Sequence, residues 1–451
     1  MPEEWANANP NKRFFLEMFT RDISLEGCIL DLIDNSIDSY VNLKKLFLKD
    51  ILIPQKDVRK TKQTDNDKNE EIPTINIKIT PNKFIIQDNC GGITFDVAQN
   101  EIFKFGHSQG RASGQLGVYG IGLKRAIFKM GRHIVVESLS EKGGFISNID
   151  SVKWLEDEEW RFPLKRIAQR NELNKFGTTI TITSLHQEIS DKIKHGSVIQ
   201  RLSTLIAQTY GLFIDNIVKI KVNNNFIEKA IPSFSQSKNL VTAVKQDTYD
   251  GIDIRIYAGL AAKQESGYWK DEFAGWYIAC NGRIVVYADK GRKTGWVAPY
   301  GPTYQPQYRG FLGVVLFFSD DPLSLPWTTT KRDINQESRV YMYTLGQMSK
   351  VAMPVRKFQR TFYSINRQES KKFKDITANA EKTGLDSLRV VNSQKFIATP
   401  IQRQSTLTSV QFHYERDEIE RIKRCLKKSS WSNKRLGKYA LEYLAKAECP
   451  E

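Results

Sequence analysis

Six glycines fall in the seventeen residues from Gly106 to Gly122. A regular element must freeze backbone freedom that glycine holds in excess, so this stretch reads as a loop. A helix from Leu123 to about Met130 follows at once. In Gly114-Gln-Leu-Gly117-Val118-Tyr119-Gly120-Ile121-Gly122-Leu123-Lys124 the glycines bare a row of backbone N–H groups, and the helix aims its positive end at the same place. Phosphate binding is the natural consequence, with Lys124 as a charged clamp. The bland alternative is a flexible loop, and the Gly-Lys-Ser/Thr ending of a Walker loop is missing.

Around the loop the pattern is mixed, which predicts an α+β fold. Leu25, Ile29, Leu32, Ile33, Ile37 and Val41 recur at helical spacing, giving a helix from about Ser24 to Phe47 with Ser24 as its N-cap. TINIKIT, FIIQD, HIVVES, FISNID and Thr178 to Thr183 read as strands. GWYIACNGRIVVYAD reads as a hairpin turning on Asn281-Gly282. Pro54 to Pro73 has almost no apolar residue and predicts a solvated, mobile insertion.

Two further clusters carry chemistry. Asp31, Asn35 and Asp38 fall at i, i+4 and i+7 of the first helix and share one face. Hard oxygen ligands on one stripe could hold Mg²⁺ and orient a water, or they could form a solvated acidic face. Asp88-Asn89-Cys90-Gly91-Gly92-Ile93 follows an apolar strand. There a carboxylate can accept an amine hydrogen from a flat ring that approaches the glycines, although an Asx-capped turn has the same composition.

Charge and cysteine content narrow the class. Lys and Arg number 67 against 51 Asp and Glu, a net +16, with 40 % apolar residues, enough for ordinary cores in two to three domains. No window is apolar enough for a membrane span, and the start is polar. Five scattered cysteines without a CxxC pair, and five histidines without ligand spacing, argue against disulfide and zinc frameworks. A soluble, cytoplasmic protein is expected. From Val355 to the end, 21 Lys or Arg face 11 Asp or Glu, a shift that marks an expected boundary near residue 350.

The order of these motifs resembles the Bergerat ATP-binding fold of the GHKL superfamily, which includes gyrase B, MutL, MORC proteins, heat-shock chaperones and histidine kinases. The resemblance implies ATP and Mg²⁺ as ligands, with Asn35 as the magnesium ligand supported by Asp38. Asp88 would take the adenine amine with help from Thr178, beside Gly92 and Ile93. Ser108, Gly117, Val118, Tyr119, Gly120, Ile121, Gly122, Leu123 and Lys124 would cover the phosphates. The catalytic Glu of the family falls on Asp31, one methylene shorter, which implies slow hydrolysis, and a motif glycine falls on Cys90. LGVYGIGLKRAIFKMG looks most like MORC proteins.

Leu325-Pro-Trp327-Thr-Thr-Thr330-Lys331-Arg332-Asp333-Ile334 resembles the loop of the transducer domain in these relatives. There a lysine senses the γ-phosphate, a role that falls on Lys331 with Arg332 as its competitor. The implied layout is a GHKL domain over 1–200, a transducer-like domain over 201–354, and a basic helical extension over 355–451. In that extension helices are expected near Tyr414 to Lys428 and Leu436 to Ala447. The implied function is an ATP-dependent homodimer that clamps or compacts double-stranded DNA, in prokaryotic DNA maintenance or phage defence. A chaperone-like machine on a protein client, or a non-hydrolysing ATP sensor in a larger complex, remain alternatives.

Overall fold

The computed structural model describes residues 11–52, 71–106, 115–117, 120–168, 176–263, 269–364, 376–377, 380–388, 393–399, 410 and 413–449. Most of the insertion expected over 54–73 lies outside them. The chain divides into two compact units, residues 1–401 and 402–451.

Helix α1 (Lys12–Arg21) starts on Asn11 and α2 (Leu25–Leu43) on Ser24, whose hydroxyl accepts from Gly27 N at 3.1 Å. α2 stops short of the expected Phe47. Lys45 takes a left-handed conformation, its N–H bonds to Asn42 O, and Leu46 N–H bonds to Val41 O. Those two bonds make a Schellman stop on lysine, where glycine is usual. The short α3 (Leu48–Leu52) follows.

Next come β1 (Thr74–Thr80), β2 (Lys83–Asp88), the short α4 (Phe95–Val97) and α5 (Gly122–Met130). Then follow β3 (Gly131–Ser140), β4 (Gly143–Asp150), α6 (Ser151–Glu156), β5 (Lys165–Ile167) and β6 (Gly177–Leu185). α7 (Gln187–Lys194), α8 (Ser197–Thr209), β7 (Lys219–Val222) and β8 (Asn225–Phe226) complete the first part. Its eight strands form one sheet in the order β5-β4-β3-β6-β2-β1-β7-β8, antiparallel except for the parallel pair β1–β7. Ile75, Ile77 and Ile79 alternate inward along β1 and share one core with Ile29, Ile33 and Ile37 of α2 and Ile127 of α5. The period of two and the period of 3.6 therefore meet in a single apolar layer, which sets the polar stripe of α2 against the ends of β2 and β6.

The second sheet begins after β9 (Phe234–Gln236) and β10 (Leu240–Val241). It contains β11 (Ala243–Tyr249), β12 (Ile252–Leu260), β13 (Gly275–Cys280), β14 (Arg283–Asp289) and β15 (Phe311–Phe318), in the order β14-β13-β15-β12-β11 with a short strand (Ser393–Gln394) at the edge. The expected hairpin turn is present: Asn281 and Gly282 both have positive φ, 46° and 84°, as a type I′ turn requires. Every residue of β15 is buried. One face, with Ile254, Ile256, Val315 and Phe317, packs against α9 (Arg339–Ser364). The other face, with Tyr257, Leu316 and Phe318, joins the core of the first part.

The shift in charge near residue 350 falls inside α9, which carries Pro354 and buries Val355. The boundary expected at 354 thus cuts a packed helix, because composition reports charge and says nothing of packing. In the second unit, helices run over Arg416–Cys425 and Asn433–Glu448, close to the two expected there. Cys28, Cys90 and Cys280 are buried, whereas Cys425 and Cys449 are exposed. Among the described residues no helix is long and apolar enough to cross a membrane.

Candidate functional site

A cavity of about 500 Å³ opens between α2, the ends of β2 and β6, and the start of α5. That volume suits a small ligand or cofactor. Every expected site residue among those described lines it, from Asp31, Asn35 and Asp38 to Thr178 and Lys331. Ser108, Val118 and Tyr119 lie outside the described residues.

One end of the cavity is built on Asp88. Its Oδ2 accepts from the Ser36 hydroxyl at 2.7 Å, and its Oδ1 accepts from the backbone N–H groups of Cys90 (3.0 Å) and Thr178 (3.2 Å). Burial pushes its carboxyl above the usual range, against the pull of these three donors. The glycines here are sterically required. A Cβ on Gly92 (φ 69°) would lie 2.0 Å from Leu139 O, and one on Gly177 would lie 1.9 Å from Asp88 O. Ser138 ties the wall together: its Oγ is 2.8 Å from Thr178 Oγ1 and accepts from Ile93 N at 2.8 Å.

Cys90 does not crowd this end. Its side chain is fully buried in the core and off the cavity wall, with the thiol pushed up by burial and then by the Asp88 charge.

At the other end Asp38 caps the Gly-rich segment. Its two carboxylate oxygens accept from Leu116 N (2.7 Å) and Gly117 N (2.6 Å). Burial raises its pKa to about 7; the two N–H groups oppose that shift and the neighbouring Asp34 charge adds to it. No described side chain caps α5, and Gly120, Ile121 and Gly122 at its start line the cavity. Open N–H groups at a helix start favour an anion there. Lys124 is buried, and its ammonium donates to Ile102 O at 2.8 Å and to Gly120 O. It ties Ile102, ahead of the Gly-rich segment, to Gly120 within it, and burial lowers its pKa to about 8.

Residues 23–179, from the cap of α2 to the start of β6, match the family model of histidine kinase-, DNA gyrase B- and HSP90-like ATPases. The match places this segment in the GHKL superfamily. No curated protein matches the chain.

The GHKL segment accounts for most of the cavity wall, and its chemistry fits ATP. Asp88 offers acceptors to a ring amine, and the glycines and the start of α5 offer N–H groups to phosphates. Asn35 is exposed to the cavity beside Asp31 and Asp38, so it could supply a hard oxygen to Mg²⁺. Asp31, expected to activate water, is paired through Oδ2 with Arg125 Nη2 at 2.9 Å.

Lys331 lies outside the matched segment, on the loop after β15. Trp327 and Ile334 bridge the base of this loop, Thr328 N bonds to Asp333 O, and Lys331 turns at its tip with φ 53°. Its Nζ donates to Asp34 Oδ2 at 2.9 Å. Arg332, the competitor, instead reaches Ser24 Oγ at 3.1 Å and is not on the cavity wall.

Sequence reasoning missed Arg125, Ser138, Asp34 and Arg283. Asp34 sits in the same acidic cluster as the expected residues, and Arg125 follows Lys124 directly. For Ser138 and Arg283 no local pattern marks the role, because the partner of each is chosen by the tertiary fold.

Proposed function

We propose that the chain is a MORC-like ATPase whose second domain reads the nucleotide held by the first, that it dimerises on ATP, and that the dimer holds double-stranded DNA. One observation carries the proposal. Lys331 and Thr329, from the second domain, line a cavity otherwise walled by the GHKL part. A lysine there separates ATP from ADP because only ATP carries a γ-phosphate.

In this scheme Asp88 holds the adenine amine, Asn35 holds Mg²⁺, and the glycines with the start of α5 hold the phosphates. Bound Mg²⁺ would neutralise phosphate charge. Asp31 would accept the proton of the attacking water once Arg125 releases it. The net +16 of the chain and the +10 from Val355 onward support duplex DNA as the partner. The test is retention of the full chain on closed circular and on linear DNA with a non-hydrolysable ATP analogue. Salt-resistant, ATP-dependent retention on circles alone is expected; equal, nucleotide-independent retention on both moves the reading to a protein client.

The Asp31–Arg125 pair favours a second reading, an ATP sensor with little turnover. Single-turnover kinetics separate the two: tight ATP binding without phosphate release selects the sensor.

A further inference from the structure

Asp34 does not line the cavity. It is fully buried and off the cavity wall, on α2. Its Oδ2 accepts from Lys331 Nζ at 2.9 Å and from Arg283 Nη1, and its Oδ1 accepts from the Tyr210 hydroxyl at 2.7 Å. The same hydroxyl lies 2.7 Å from Leu30 O. One carboxylate thus serves two cations, both delivered by the second domain: Arg283 from the start of β14, and Lys331 from the loop tip.

The two cations differ in access. Arg283 is 1 % exposed and absent from the cavity wall, so no ligand in the cavity can reach it. Lys331 borders the cavity. A buried carboxylate stripped of every counter-charge is strongly disfavoured, but Asp34 would keep Arg283 and Tyr210 if Lys331 left.

We propose that Asp34 is a docking carboxylate that holds Lys331 beside the nucleotide cavity, and that Arg283 is the permanent counter-charge that lets Lys331 transfer to the terminal phosphate of ATP. Both are positioning residues. The proposal rests on the cavity being the ATP site and on Lys331 being its sensor.

The test is calorimetric binding of ADP and of a non-hydrolysable ATP analogue to the full chain, read as the ratio of the two affinities. Lys331→Met sets the floor. Arg283→Gln leaves Lys331 as the one described cation on Asp34, beside the neutral Tyr210 hydroxyl, so the ratio of ATP-analogue to ADP affinity should fall about tenfold, the worth of a charged hydrogen bond. Adding Asp34→Asn to Arg283→Gln removes the charge that detains the lysine, and the ratio should return to within about twofold of wild type. A merely structural role would weaken both nucleotides alike, and the second substitution would not rescue. If Arg283→Gln does not fold, the double variant, which leaves neither Asp34 nor Arg283 as an unpaired buried charge, decides: a ratio near wild type is expected, and a fall to the Lys331→Met value overturns the proposal. An Arg283→Gln ratio equal to wild type, or a double variant no better than the single, also overturns it while the site reading stands. A wild-type chain that binds neither nucleotide overturns both.

Discussion

Arg125 Nη2 stands 2.9 Å from Asp31 Oδ2, so the carboxylate proposed as the base is already bonded to a guanidinium on the neighbouring helix. Both residues line the cavity between α2 and the start of α5. Asparagine at position 31 would keep the volume and one acceptor for Arg125 but could not take a proton. Asp31→Asn should lower ATP turnover at least about 10²-fold and leave ATP affinity within a few-fold. Phosphate release and calorimetry check this; turnover near wild type would move the base elsewhere.

Asp88→Asn isolates adenine recognition from folding. With its oxygen toward the Cys90 and Thr178 amides, the new NH₂ faces the Ser36 hydroxyl, which can rotate to accept. The fold should survive with a loss of about 1–2 kcal/mol in urea denaturation. An adenine amine arriving there would meet a donor instead of an acceptor, so ATP affinity should drop at least about tenfold. Unchanged affinity would remove Asp88 from the nucleotide site.

Gly177→Ala should cost more stability than Asp88→Asn. Its Cβ would lie 1.9 Å from Asp88 O, a backbone atom that cannot rotate away. Overpacking of this kind costs about 1–3 kcal/mol or more, and the strand shift that relieves it carries Asp88 along. Chemical denaturation and ATP titration should therefore fall together.

Asp38 gives the protein a pH signature. Burial raises its folded pKa to about 7 from the ordinary 3.8, so the fold prefers the protonated acid. Its contribution is full below the unfolded pKa and is lost as pH rises through the folded one. Asp34 has the opposite sign. Burial would raise its pKa, but Arg283, then Lys331 and the Tyr210 hydroxyl, hold it below the usual value, so its contribution is lost only in acid. From about pH 5 upward the melting temperature of Asp38→Asn should therefore gain on wild type and level off above about pH 7, measured without nucleotide. A pH-independent difference would contradict the shift.

Part of the salt dependence of DNA binding should sit in residues 402–451, which carry a net +4 of the +10 counted from Val355 onward. Truncation belongs after residue 401, where the first compact unit ends, and not after Pro354, which would cut α9. Every phosphate that the extension neutralises steepens the fall of log K with log salt by about 0.9, so the shortened chain should show a flatter slope by that amount per phosphate. Filter binding at several salt concentrations measures it, and an unchanged slope would place the DNA surface on residues 1–401.

Much of the site was legible because its signals are local. Helical spacing put Asp31, Asn35 and Asp38 on one stripe, glycine density marked the cavity end at the start of α5, and a strand followed by Asp88 and two glycines marked the other. The rest depended on distant chain. Asp34 lies within one turn of Asp31 on α2, yet its partners Tyr210, Arg283 and Lys331 come from three remote segments that no local spacing can reveal. Lys124 looks like a free clamp in the sequence, and only packing shows its ammonium held by Ile102 O and Gly120 O. The early end of α2 has a smaller cause: Lys45 adopts a conformation that composition would assign to glycine.

The cysteines divide the molecule by reactivity. Burial pushes the Cys28 thiol up to about 12 and those of Cys90 and Cys280 up as well, while Cys425 and Cys449 are open to solvent. Thiolate is the reactive species, so a maleimide near neutral pH should modify the extension and spare the ATPase body. A fluorophore pair could then be attached to the native chain without a single substitution, and its signal would report the basic extension while the nucleotide cavity stays chemically untouched.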